Sequence, residues 1–175
     1  AVTAEQLAEV ESICCDFVSN PRDVFAQDVP LAKAKEIAGL RAVFGEVYPD
    51  PVRVVSVGQS VDELLNNSGD NGAFAIEFCG GTHLNNTSQA GQFALVSEEG
   101  ISKGVRRIVG VTGQEAKDAI AAAEVLKARM TEALALNPED IGETHTQLKL
   151  DVDAAVISAS TKVELRKSLG VLVER

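Results

Sequence analysis

The stretch Phe74-Ala75-Ile76-Glu77-Phe78-Cys79-Gly80-Gly81-Thr82-His83 decides how this chain is read. Phe74, Ile76 and Phe78 alternate with Ala75, Glu77 and Cys79, the period-two pattern of a strand with one apolar face. Two glycines follow, and a thiol and an imidazole stand four residues apart across them. Thiolate and neutral imidazole are preferred ligands of zinc, so the end of this strand has the donors of half a metal site. The same residues also read as a buried packing thiol beside an ordinary surface histidine. Spacing alone leaves both readings open, because two ligands do not hold zinc and a bare C-x3-H is common.

Working outward, Val52 to Val57 is a strand with apolar residues on both faces, and Val24 to Gln27 is a shorter one. Ser60 with Glu63 caps a short helix through Leu65, and Asn66 to Gly72 is a turn-rich loop. Thr3 with Gln6 opens a helix whose Leu7, Val10, Ile13, Cys14 and Phe17 are expected to face a core, and Leu31 to Val43 looks helical. Downstream, Phe93 to Val96 and Val105 to Val111 are further strands. Together these predict an α+β fold, a mixed or antiparallel sheet of about four strands with packed helices.

The character changes at Thr112-Gly113-Gln114-Glu115, which reads as another capping box. Ala116, Ala119, Ile120, Ala123, Leu126, Met130 and Leu134 then trace one face of a long helix. Asn137-Pro138 starts a new one carrying Leu148, Val152, Ala155 and Val156, and Thr161 with Glu164 caps a last one carrying Leu165, Leu169 and Leu172. The expected division is therefore a partial α+β domain over 1–112 and a helical region over 113–175.

Composition narrows the function. The 175 residues include 16 basic and 26 acidic side chains, a formal charge of -10, so the general field repels phosphate and any RNA contact must be local. With 6 Phe, 1 Tyr and no Trp, stacking platforms for single-stranded nucleic acid are not expected. Cys14, Cys15 and Cys79 cannot build a disulfide framework, which points to a reducing compartment. No apolar run is long enough to span a bilayer, and the acidic opening AVTAEQLAEVESICC resembles neither a signal nor a transit peptide. Beginning on Ala1 fits a piece cut from a longer protein, and equally a processed chain.

Glu77-Phe78-Cys79-Gly80-Gly81-Thr82-His83 resembles the C-G-G-T-H signature of the alanyl-tRNA synthetase editing domain. Two further segments are similar to the family in the same order: Gly39 to Ser56 upstream, closest to eukaryotic members, and Lys103 to Gly113 downstream. The match runs over roughly residues 20 to 115, and the helical remainder resembles the family's linker only weakly. The chain is thus similar to the back half of the editing domain followed by that linker.

The resemblance implies that Cys79 and His83 ligate Zn2+ and that the intact site hydrolyses serine or glycine from the 3' end of alanine tRNA. In the family an earlier H-x3-H pair completes the ligand set. This sequence lacks such a pair, so truncation ahead of Ala1 is expected and the chain alone should not edit. Gly80, Gly81 and Thr82 would shape the backbone around the terminal adenosine, or form a plain strand-ending turn. Arg106 and Arg107, neighbours on a strand, point to opposite faces. Either one is expected to meet the tRNA backbone or to pair with Glu98 or Glu99. Glu77 reads as a second support to the metal or a structural carboxylate, and His145 as a solvated helix residue.

ATP belongs to an aminoacylation domain outside this chain, and a cytoplasmic location is expected, with an organellar form left open. Two other readings stand beside the synthetase: a free-standing protein that deacylates mischarged tRNA in trans, and a non-catalytic binding module that self-associates through its helical region. Exposed Lys117, Asp118, Glu124, Lys127 and Arg129 would suit the latter.

Overall fold

A valine-rich strand with both faces buried belongs in the middle of a sheet, and Val52–Val57 (β2) takes that place in this computed structural model. It lies between Val24–Val29 (β1) and Ala75–Phe78 (β3) in a three-stranded antiparallel sheet. The structure describes residues 2–43, 45–66, 69 and 74–173. Val54 is 0% exposed and its sequence neighbour Val55 6%, so opposite faces of β2 are both covered. In the register, Val54 stands between Gln27 of β1 and Phe78 of β3.

Two short helices, Leu31–Ala34 (α2) and Val61–Asn66 (α3), close one face of this sheet. Ala34, Val61 and Leu64 pack with Val29, Val52, Val54 and Ile76. Leu64 is 1% exposed, and burial of such a side chain contributes about 2 kcal/mol. The Ser60 cap forms as expected: Ser60 N–H donates to Glu63 Oε2 (3.1 Å) and Glu63 N–H to Ser60 Oγ (3.3 Å). The helix expected over 31–43 stops after one turn. Gly39 is left-handed at φ 81, and two residues on, Arg41 N–H donates to Ile76 C=O over 2.9 Å. A bridge to β3 has replaced further helix. Most of the turn-rich segment 66–72 lies outside the described residues.

The chain groups into two compact units, Phe17–Gln89, which holds this sheet, and Ala1–Asp16 with Ala90–Arg175. In the second unit Phe93–Ser102 (β4) and Val105–Thr112 (β5) pair with each other, antiparallel, and with no other strand among the described residues. The fold is α+β with antiparallel strands and a helical C-terminal stretch, as expected, and the strands divide into a sheet of three and a pair. Gly104, at φ 78, makes the tight turn between β4 and β5.

The first helix, Ala4–Ser19 (α1), opens on the expected box: Thr3 N–H donates to Gln6 Oε1 (3.0 Å) and Gln6 N–H to Thr3 Oγ1 (3.3 Å). Its expected core face is only partly covered. Leu7 is buried, but Val10 and Ile13 are 39% and 52% exposed. The side that bonds to β4 is the one carrying Glu11 and Cys15. Leu95 N–H donates to Glu11 Oε1 (2.8 Å), and Cys15 Sγ–H reaches Phe93 C=O at 3.6 Å. These bonds satisfy backbone groups of a ribbon edge that has no further strand among the described residues.

From residue 113 onward every element is helical, as the change of composition implies. Gly113–Leu134 (α4), Ile141–Ala154 (α5) and Ala159–Val173 (α6) bury Leu126, Met130, Leu148, Val152, Leu165 and Leu169 in one cluster. Ile120, placed on the core face by spacing, is 41% exposed, while Ala116, Ala119 and Ala123 of the same expected face are buried. Thr112 makes no side-chain cap, because Gly113 is left-handed (φ 59) and gives its N–H to Gln92 C=O. Thr161 caps nothing either, since α6 has already begun at Ala159 and Thr161 is buried within it. Val156 falls in the link after α5 and is 64% exposed. No helix among the described residues is long and apolar enough to cross a membrane.

Candidate functional site

Strand β3 delivers Cys79 to the sheet's end. Phe78 is fixed by an edge-on contact with the Tyr48 ring, centroids 4.8 Å apart, and Cys79 N–H donates to Arg53 C=O over 3.2 Å. The following segment is pinned again at Asn85, whose carbonyl accepts from Val24 N–H (2.9 Å). Asn86 Nδ2 donates to Asp23 Oδ1 (2.9 Å), and Arg22 N–H donates to Thr87 Oγ1 (2.9 Å). Since Arg53 and Val24 belong to opposite ends of the sheet and to different strands, residues 80–84 run from one to the other as a loop fixed at both ends.

Cys79 is half-buried at the head of that loop, while Gly80, Gly81, Thr82 and His83 are exposed. Neither glycine has a positive φ. A Cβ on Gly80 would meet nothing within 4 Å, and one on Gly81 would meet only Cys79 Sγ, at an ordinary 3.6 Å. The backbone here does not demand glycine, so what the two glycines supply is bare main chain beside the thiol. That arrangement admits a ligand close to the backbone.

The donor set tests the zinc expectation directly. A thiol at the sheet end and an exposed imidazole on the same pinned loop are the right chemistry for two of the four positions of a tetrahedral site. Among the described residues no group of three or more His, Cys, Asp or Glu is placed to hold an ion. What the loop supplies is therefore two donor types suited to zinc, Cys79 and His83, with no formed metal cluster among the described residues. Glu77 is exposed, on a residue that bridges to Arg41. His145 is half-buried on α5.

The other thiols behave as packing groups. Burial pushes Cys14 and Cys15 up, with the Glu11 carboxylate adding to the effect. Both are free.

Arg106 and Arg107 belong to the other compact unit. Each is paired within the β4–β5 ribbon, Arg106 with Glu98 and Arg107 with Glu99 at 3.7 Å. A hydrogen bond from Arg106 holds the Glu98 carboxyl below its ordinary range. The Arg107 pair is exposed on both sides and long, so it holds that guanidinium weakly.

Two residues mattered more than their sequence context suggested. Glu11, spaced like a solvated helix charge, accepts from both Leu95 N–H and Ser158 Oγ (2.6 Å). Thr87 bonds Arg22 and the Phe17 carbonyl, and so anchors the exit of the candidate loop. The polar run Asn85-Asn86-Thr87-Ser88 was the available signal, since such side chains bond nearby backbone.

Residues 52–109 match the family described as the threonyl and alanyl tRNA synthetase second additional domain. That span holds Cys79, His83, Arg106 and Arg107. The chain is 46% identical over 171 residues to the cytoplasmic alanine–tRNA ligase of Dictyostelium discoideum, covering 97% of the chain and 18% of that protein. Over 173 residues it is 45% identical to the mitochondrial alanine–tRNA ligase of Saccharomyces cerevisiae, with the same coverage. A Candida albicans alanine–tRNA ligase is 52% identical over 118 residues, 66% of the chain and 12% of that protein. The chain thus spans about a fifth of the length of the curated relatives it matches over nearly all its residues. No solved structure matches it. A tRNA-synthetase second additional domain at its centre and this identity along almost all of its length place the chain in the alanine–tRNA ligase family.

Proposed function

We propose that the loop from Cys79 to His83 is half of a zinc site at which the full-length protein hydrolyses the ester joining serine or glycine to the 3' end of alanine tRNA. The observation that carries this is the bare backbone of Gly80 and Gly81, whose glycines are required neither by φ nor by packing. Cys79 and His83 would hold the ion together with ligands contributed from elsewhere. A bound zinc ion supplies Lewis acidity and an oriented water. The main chain at Gly80 and Gly81 would approach the terminal adenosine and aminoacyl group, and Thr82 Oγ1 offers a donor or acceptor beside them.

Arg107, with its weak partner, is the better placed of the two arginines to meet a tRNA phosphate, because releasing Glu99 costs little. ATP would serve an aminoacylation domain outside this stretch. The reducing character of three free cysteines supports a cytoplasmic location, and the relatives named above include both a cytoplasmic and a mitochondrial ligase.

The test is deacylation of serine-charged alanine tRNA by the full-length protein. Cys79→Ala and His83→Ala should each lower the rate at least a hundredfold while alanine charging persists. Full deacylation by Cys79→Ala would refute the ligand assignment, and no deacylation by the unmodified protein would refute the editing reading.

A further inference from the structure

We infer that the groove between α5 and α6 is a binding site for the phosphate backbone of RNA. On α5, His145, Lys149 and Asp153 fall at successive four-residue steps and so share one face. From α6, Arg166 donates twice to Asp153 Oδ1, through Nε at 3.0 Å and Nη2 at 2.6 Å. Lys162 Nζ donates to the carbonyls of Asp153 and Ala155, at 2.9 and 2.8 Å. Hydrogen bonding from Arg166, and then the charges of Arg166, Lys149 and Lys162, hold the Asp153 carboxyl below its usual range.

These four side chains are three cations and one carboxylate, a local surplus of two positive charges in a chain whose total is -10. The groove measures about 480 Å³ and is lined by His145, Lys149, Asp153 and Arg166, with Leu169, Gly170 and Val173 completing it. A side chain at Gly170 would meet nothing within 4 Å, so the groove is open at that residue. A cation is repelled by this surplus and a neutral ligand gains nothing from it, whereas an anion with oxygens to spare takes hydrogen bonds from Lys149 and from the outer nitrogens of Arg166. Two fixed positive charges near one another suit a phosphodiester chain, which supplies a charge at each step. Choosing RNA as its source rests on the tRNA substrate proposed above.

Fluorescence anisotropy of a labelled RNA hairpin with the 175-residue chain, run as a salt titration from 50 to 200 mM, tests the site. Lys149→Glu should raise Kd about tenfold and reduce the slope of log Kd against log salt by about one, because one phosphate contact is lost. Lys117→Glu, an equal charge change on the exposed face of α4, should alter Kd less than twofold, and circular dichroism should show both variants folded. Arg166→Lys, which keeps the charge but loses the fork, should weaken binding less than Lys149→Glu does. Equal effects of the 117 and 149 variants, or none, would overturn the site. Displacement of RNA by inorganic phosphate at matched phosphate concentration would reassign the groove to a small phosphorylated ligand. Displacement by polyglutamate at matched charge would reassign it to an acidic peptide. With deacylation measured on the full-length protein, loss of RNA discrimination at the groove with deacylation retained would fail the groove alone, whereas groove-dependent RNA binding with deacylation absent would fail the editing reading alone.

Discussion

The N–H of Cys79 donates to the carbonyl of Arg53 over 3.2 Å, so the thiol-bearing residue is the last rung of the β2–β3 ladder and the first residue of an exposed loop. Its backbone is as fixed as the sheet, while the residues after it are open to solvent. A metal ligand benefits from that combination, since its position is set before any ion arrives.

Gly81→Ala separates a glycine kept for folding from one kept for a ligand. The new methyl would stand 3.6 Å from Cys79 Sγ with no forbidden φ, so stability should change by less than about 0.5 kcal/mol. Deacylation by the full-length protein should fall at least tenfold. Thermal melts beside a deacylation assay decide it, and unchanged activity would return the glycines to the role of a plain turn.

Removing the Glu11 carboxylate should harm the second unit. Leu95 is 1% exposed and its N–H has Glu11 Oε1 as acceptor, so Glu11→Ala leaves a buried donor unpaired, at a cost of about 1–3 kcal/mol. Glu11→Gln keeps one acceptor oxygen and should lose less. Urea unfolding of both variants measures the difference.

Ser56 is fully buried and its hydroxyl has no partner among the described residues. Ser56→Ala should therefore be neutral or stabilising, by up to about 1 kcal/mol, because the desolvated hydroxyl disappears with little change of volume. A clear fall in melting temperature would mean that the hydroxyl has a partner after all.

Acid should loosen α3 through its cap. Hydrogen bonds from the Ser60 side chain and then its backbone lower the Glu63 pKa. The folded value lies below the unfolded one, so the contribution is complete above the ordinary glutamate range and is lost as pH falls through the folded value. Glu98, Asp151 and Asp153 are lowered by arginine partners and add the same sign. Melting temperature should drop on acidification below that range, and Glu63→Gln should flatten part of the slope.

The sequence revealed most where a short local rule governs structure. The strand over 75–78, the valine-rich centre at 52–57 and the boxes at Thr3 and Ser60 all rest on alternation or on three-residue capping. It failed where a distant partner decides. The helix beyond Ala34 gave way to a bridge with β3, and α1 turned Glu11 and Cys15 toward β4 while Val10 and Ile13 stayed exposed. Thr112 has capping chemistry, but the neighbouring left-handed glycine removes the geometry. At the candidate site the donors were legible and the pinning was not, because the bonds from Arg22, Asp23 and Val24 to residues 85–87 join segments some sixty residues apart.

Zinc content of the full-length protein, purified without chelator and measured by plasma mass spectrometry, bears most directly on the role of the 79–83 loop. About one zinc per chain is predicted for the unmodified protein, with most of it lost in both Cys79→Ala and His83→Ala. An unmodified protein without zinc, or one whose zinc survives both substitutions, would contradict the account.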